Sequence, residues 1–473
     1  MTNTYPTVAF ESVTFPAAAN SIKKPVLVIA VFIALTAGLL LGGGAGLLHM
    51  LFPAMALAAG VYLYRNYPAA YVSFTLWLWF LSPFVRRVVD YRSYWLDANP
   101  ILIAPALVAG ISAIALLRKV NTHWHSSALP YLLIASGISM GLLTGVAMGH
   151  SKDAAGTYVL WMAPLCFAFY LQTFPADRKQ LRSALVSTFV GFVLVGGSYA
   201  IFQFVKAPAW DCNWLEMVSA NAVSPSFGLP YPFELRVWST LNAPGPFSVV
   251  MLVGLLTLFV YSGWAKLPAA IVGYASFLLC MVRTSWVSWL AAILLIAYFN
   301  RNRIYRLILP MLSLGIVIAC LTQWPPIADK LHERFASTAS AATDESVLDR
   351  EHLYNVMPEY LLRHPLGRGL SNSPIFEGLP LDSGLLSTPL QLGWLGTFLL
   401  VAGLAIQLSR CRLSGHSLTF ERIAQFAGFA LLLQIVGTQL FTGIYALLFW
   451  GLCGVCCGSE RLGRPAEGTL SAA

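Results

Sequence analysis

Two arginines and one aspartate carry the chemical interest of this sequence. Arg283 stands between two apolar runs in Arg283-Thr284-Ser285-Trp286, and Arg236 opens the segment Arg236-Val237-Trp238-Ser239-Thr240-Leu241-Asn242-Ala243-Pro244. A charge near membrane depth costs about 2.5–3.5 kcal/mol on insertion scales, so such a residue usually has a partner or a job. A diphosphate is a suitable partner, because a guanidinium grips two oxygens at once and keeps its charge in a partly dry site. Asp382 stands just ahead of another apolar run. Its carboxylate could accept the proton of an attacking hydroxyl. Each residue also has a plainer reading. Arg283 can snorkel toward lipid phosphates, Arg236 can be an exposed loop charge, and Asp382 can cap the helix that follows.

Further polar candidates surround Asp382. Arg350, His364, Arg368 and Ser383 share its polar stretch, which runs from about Gln323 to Asp382. His364 and Arg368 could contact an anionic donor or an acceptor. His364-Pro365 can equally be a helix terminator with a C-terminal cation, and Arg350 can pair with a loop carboxylate. Arg86, Arg87 and Arg92 form a second basic group with Asp90 and Asp97, either a solvated turn or a face toward an anionic lipid-linked ligand. The aromatics Trp210, Trp214, Tyr231 and Trp238 either belt a membrane interface or stack on sugar rings. Gly393 and Gly396 suit close helix packing. Cys453, Cys456 and Cys457 have a clip-like spacing, but no His or acid stands nearby on the run, so no metal is expected.

The elements that must position these residues are membrane helices. The chain is 58% hydrophobic and 10% charged, with mean hydropathy +0.70, which excludes an ordinary soluble globule. About 20 apolar residues make a helical span. Candidates centre near residues 34, 54, 76, 108, 139, 165, 194, 253, 274, 291, 313, 395, 432 and 449. About 12–14 spans are therefore expected in an all-α polytopic protein. The runs are continuously apolar, which argues against a strand barrel, and no cleavable signal peptide is expected.

Alternating spans place an excess of Lys and Arg on one side, about +12, against about −3 on the other, which assigns both termini to the cytoplasm. The net charge of +9 thus reflects topology, and no nucleic-acid partner is expected. Two large segments then face outward, 206–240 and 323–383. In the second, Leu353, Val356, Met357, Tyr360 and Leu361 recur at helical spacing. They predict an amphipathic helix from Ser346, its N-cap, to Arg363, resting at the bilayer surface and stopped by Pro365, Gly367 and Gly369. The stretch Ala336–Ala342 reads as a flexible approach to it.

Three pieces, in order, resemble the O-antigen ligase and polysaccharide polymerase family of bacterial inner-membrane proteins. The first is Arg236 through Asn242-Ala243-Pro244, and the second is Arg283-Thr284-Ser285-Trp286. The third begins at Arg350, passes through His364-Pro365-Leu366-Gly367-Arg368-Gly369, and ends with Asp382-Ser383, nine residues, then Gly393-Trp394-Leu395-Gly396. The resemblance covers roughly residues 230–400; the N-terminal half matches in hydropathy alone.

The resemblance implies an enzyme that takes a glycan from an undecaprenyl-diphosphate carrier and joins it to an acceptor hydroxyl, without metal, nucleotide sugar or other cofactor. It implies Asp382 and Arg283 as catalytic residues, with Arg236, Arg350, His364, Arg368 and Ser383 contacting substrate. Asp382 stands where ligases of the family carry histidine, and this favours a polymerase of lipid-linked repeat units into exopolysaccharide or O-antigen. The setting is the outer face of the bacterial inner membrane, in a large, partly helical periplasmic loop. Expected partners are the lipid-linked donor, the glycan acceptor, membrane lipids, a flippase, and chain-length or export proteins. One alternative is a ligase that transfers glycan to a lipid or protein acceptor. Another is a transporter or flippase, which predicts ionisable residues at mid-bilayer, where the spans hold almost none.

Overall fold

The computed structural model describes residues 23–120, 127–221, 227–299, 305–323, 345–371, 374–411 and 418–459. The protein is all-α and multi-pass. In lipid no water is available to satisfy backbone N–H and C=O groups, so each apolar run closes its hydrogen bonds within itself as a helix. The helices are α1 (Lys23–Leu41), α2 (Leu48–Asn66), α3 (Pro68–Arg92), α4 (Ala104–Gly110), α5 (Ala113–Val120), α6 (Leu129–Ala147), α7 (Ser151–Gln172), α8 (Arg178–Lys206) and α9 (Ala209–Asn221). Then come α10 (Pro244–Thr257), α11 (Lys266–Leu279), α12 (Arg283–Phe299), α13 (Tyr305–Thr322), α14 (Glu345–Arg363), α15 (Gly384–Arg410), α16 (Phe420–Leu433) and α17 (Gly443–Ser459). Every centre expected from hydropathy falls inside one of them. Among the described residues, 8 helical segments are long and apolar enough to cross a membrane. Shorter apolar helices fill α10 to α13 and α17.

Small residues set the tightest packing. Gly137, Gly141 and Gly145 recur at i, i+4 spacing and so share one face of α6. A Cβ on Gly137 would lie 2.4 Å from the Gly396 carbonyl oxygen of α15, and one on Gly403 of α15 would lie 2.6 Å from the Pro130 oxygen. Backbones this close gain dispersion contact where the hydrophobic effect cannot drive association. α17 packs along α7, and α8 packs on α3 and α11.

α15 is not continuous. Gly393 adopts φ 68°, ψ 179° inside it, a conformation essentially restricted to glycine. The freed backbone groups bond to an inserted stretch instead. Trp394 N donates to Pro365 O (2.9 Å), Arg368 N to Leu390 O (2.6 Å), and Leu370 N to Gly141 O (3.0 Å). Gly367 and Gly369 have φ of +71° and +83°, and a Cβ on Gly369 would meet Gly145 N at 2.2 Å. The residues expected to stop the amphipathic helix therefore also thread the chain into the break.

α14 starts at Glu345, with Ser346 inside its first turn, and ends at Arg363. Its apolar face differs from expectation. Leu353, Met357 and Leu361 pack against Phe376, Leu381, Leu386 and Leu390 of the same chain. At about 1.5–3 kcal/mol per fully buried large side chain, this face is satisfied by protein rather than left for lipid. Phe376 comes from a short hairpin, Ile375–Phe376 (β1) against Leu379–Pro380 (β2). Its turn places Glu377 and Gly378 at φ 51° and 81°, the left-handed pair a two-residue hairpin needs. The stretch Ala336–Ala342 lies outside the described residues.

Candidate functional site

One end of the bundle collects the ends of α3, α8 and α11, the starts of α10, α12, α15 and α17, and α9 and α14. The segment bearing Arg236 is pinned there by a buried polar network. Arg87 of α3 has its Nε 2.8 Å from Asp211 Oδ1, and both side chains are wholly buried; this is a charge contact rather than an aligned hydrogen bond. The same guanidinium donates to the carbonyl oxygens of Ser239 (2.5 Å) and Leu241, and to Asn242 Oδ1 (3.3 Å). Asp211 Oδ2 accepts from Tyr199 and Gln203, each at 2.7 Å. Gln203 Oε1 in turn accepts from the backbone N–H of Trp238 (3.0 Å) and Ser239 (2.9 Å), which holds Ser239 at φ 54°.

The second basic group is thus neither a solvated turn nor a ligand-facing cluster at Arg86 and Arg87. Arg86 pairs with Asp90 at 3.0 Å and donates to Leu96 O at 2.9 Å; both arginines are buried. Buried guanidinium groups keep their charge and need fixed acceptors, and these have them. Trp214 and Trp238 are also interior. With Phe227 they form a three-ring core, centroids 5.4–5.7 Å apart, so neither belts an interface nor offers a sugar platform. Tyr231 is exposed. Cys212 donates to the Ala207 oxygen at 3.2 Å. Burial, with Asp211 and Glu216 close by, raises its thiol above the usual range.

Arg236 emerges from this anchored turn half-buried and donates from Nη2 to Met281 O at 3.1 Å. Val237 N reaches Leu279 O at 3.4 Å. The turn after α11, with Met281 at φ 53°, therefore docks directly on the Arg236 segment. Arg283, also half-buried, is the first residue of α12. The two candidate donor-binding arginines stand on adjoining segments.

Asp382 joins the same end through a chain of hydrogen bonds. Ser285, in the first turn of α12, lies 2.7 Å from Ser248 Oγ of α10 and 3.3 Å from Gln434 Oε1. Thr438 Oγ1 donates to Gln434 O at 2.9 Å, Gly384 N to Thr438 O at 3.0 Å, and Gln439 Nε2 to Leu381 O at 2.8 Å. Asp382 is exposed, and its charge reaches Tyr445 of α17. The Tyr445 hydroxyl would sit 2.6 Å from a Cβ on Gly245, so a side chain there would have to displace the tyrosine of α17 from the start of α10. The residue before α15 is Ser383, one beyond Asp382, so Asp382 is not the N-cap. Ser383 makes no capping bond; its Oγ lies 2.8 Å from Tyr354 OH of α14.

Helix dipoles add to this arrangement. The N-termini of α10, α12, α15 and α17 all open at this end, each carrying about half a positive charge. Two arginines, four helix N-termini and one exposed carboxylate thus open at the same end of the bundle.

His364 and Arg368 form a neighbouring cluster. The His364 ring stacks on Tyr360 at 4.2 Å, with Nδ1 3.1 Å from Tyr360 O, just past the end of α14. Arg368 Nε donates to Tyr360 OH at 2.8 Å, and its guanidinium lies over the Tyr360 and Phe376 rings at 4.9 and 5.2 Å. Both residues are exposed. Tyr360 is about 9 Å farther along α14 than the Tyr354 that touches Ser383. The cluster is therefore a separate patch on the same helix. Arg350 lies in α14, and its side chain is outside the described residues.

Tyr354, Tyr445, Gln434 and the Arg87–Asp211 pair escaped the sequence reading. Each is a common residue type in an apolar or loop context, and only tertiary contact marks it. Comparison of the chain with protein-family models, with curated proteins and with solved structures returns no match.

Proposed function

We propose that the protein is a membrane glycosyltransferase that polymerises undecaprenyl-diphosphate-linked oligosaccharide repeat units at the outer face of a bacterial inner membrane, with both termini cytoplasmic. The observation that carries this reading is the docking of Arg236 onto the turn leading into Arg283, at the bundle end that also holds Asp382. Lys and Arg at the opposite end (Arg65, Arg118, Arg178, Lys179, Arg410 and Arg422) support the orientation.

In the proposed reaction Arg283 and Arg236 bind the donor diphosphate. Asp382 takes the proton of the acceptor hydroxyl as its oxygen attacks the anomeric carbon from the face opposite the diphosphate. The new glycosidic C–O bond forms, the anomeric bond to the diphosphate breaks, and its electron pair goes to the departing phosphate oxygen. Cations already aimed at that oxygen stabilise the charge without reorganising. General-base assistance contributes typically 10²–10⁴-fold. Ser383, Arg350, His364 and Arg368 are proposed to contact the sugars or the diphosphate.

The test is complementation in cells lacking the protein. R283A and D382A at wild-type protein levels are expected to leave single lipid-linked repeat units and no polymer. Normal chain length in both variants would refute the assignment. Long chains left on the carrier lipid would redirect it to a ligase, and repeat units stranded on the inner leaflet to a flippase.

A further inference from the structure

At the end of the bundle opposite Asp382, four of the chain's cysteines meet. Cys411 follows the last residue of α15, and Cys453, Cys456 and Cys457 lie on α17. Cys411 Sγ is 2.9 Å from Cys457 Sγ and 3.9 Å from the Cys453 carbonyl oxygen. Cys457 Sγ also donates to Gln407 O at 3.4 Å, and Cys456 Sγ to Glu421 O at 3.3 Å. Two sulfurs at 2.9 Å are within an ångström of the ~2.05 Å disulfide bond.

Access comes from a cavity of about 530 Å³ between α12, α15, α16 and α17, into which Cys411, Cys453, Cys456 and Arg422 face. Apart from Gln425, its other walls are apolar, among them Leu295, Phe299 and Phe426. The cavity supplies a path for a small neutral reagent to thiols that are otherwise buried, Cys411 at 8% exposure and Cys457 at 5%.

We propose that Cys411 and Cys457 form a dithiol modification site, which a peroxide-class oxidant converts into a disulfide fastening the end of α15 to α17. The Cys411 sulfur attacks one peroxide oxygen and the O–O bond breaks. The departing hydroxide takes up the thiol proton as water, leaving a sulfenic acid on Cys411. Cys457 then attacks that sulfur, the S–O bond breaks, and a second water leaves. Two thiols lose two electrons and one peroxide becomes two waters; a thiol reductant reverses the change.

Cys411 takes the first step because it lines the cavity, which Cys457 does not. The consequence reaches across the molecule, because α15 and α17 carry Asp382 and Tyr445 at their other ends. A covalent tie at the far end fixes how these helices slide past one another. The proposal stands apart from the glycan reading and survives its failure.

The experiment uses the full chain in native membranes, treated with hydrogen peroxide, then alkylated in denaturant and mapped by non-reducing proteolysis and mass spectrometry. A linked Cys411–Cys457 peptide pair is expected in wild type and in C456S, lost on reduction and absent from C411S and C457S. Alkylatable thiols should fall by two per chain. Persistence of both thiols under peroxide overturns the proposal, as does linkage of either to Cys456 or to a second chain. The wild-type map decides alone if a variant does not fold.

Discussion

Arg87 serves a carboxylate and three oxygens of the 239–242 turn with a single guanidinium, and this is what allows Arg236 to be presented at a fixed place. A buried ion pair contributes little net stability when both partners are present, yet removal of one partner strands the other and costs about 3–5 kcal/mol. R87A and D211A are each expected to destabilise by that amount in denaturant titration, with early proteolysis of the 206–240 segment. The double variant R87M/D211L should lose less than the sum of the two. Additive losses would show that the residues do not act as a pair. Asp382 is exposed and stands one residue ahead of Ser383, which takes the N-cap position of α15. Sequence proximity to a helix start suggested a cap, and the backbone conformation assigned that position to its neighbour.

Among the elements, the discontinuity of α15 carries the sharpest expectation. A side chain at Gly393 would need φ +68° and would place Cβ 2.7 Å from the Leu366 carbonyl carbon and oxygen. G393A should therefore destabilise by about 1–3 kcal/mol from backbone strain alone, with the clash in addition. G428A, at a helical position with nothing within 4 Å, should leave the melting temperature unchanged or slightly raised. Equal melting temperatures for both variants would mean that the inserted 365–370 stretch does not hold the helix open. Helix positions were legible in the sequence because an apolar run of membrane length has one backbone solution. The break was not legible, because a glycine in an apolar run reads the same whether it admits a neighbouring helix or interrupts its own. The apolar stripe of α14 was likewise legible as a stripe. What it packs on depended on a hairpin some fifteen residues downstream, whose alternation is too short to announce itself.

For the whole molecule, the expectation concerns sidedness. α8 has 29 residues and so spans about 43 Å, which separates exposed Lys179 at its start from the end holding Arg236. A membrane-impermeant maleimide should label Y94C and Y231C from the outside of intact spheroplasts, in a background with native thiols blocked, and K179C only after permeabilisation. Labelling of K179C together with Y231C from outside would contradict the orientation. The centres of the apolar helices were readable from hydropathy, and the side that each end faces is what the labelling tests. The meeting of Arg236, Arg283 and Asp382 at one end was readable in principle, since an even number of spans separates any two residues on one face. The docking of the Arg236 segment on the turn before Arg283 rests on turns at Ser239 and Met281 that no local pattern specifies.

The closing of Tyr445 over Gly245 has a consequence for biosynthesis. On the proposed reading, the charge of Asp382 comes within reach of that tyrosine only once α17 has been made, after the segments bearing Arg236 and Arg283. Emergence of α17 from the ribosome is then the step that completes the candidate site.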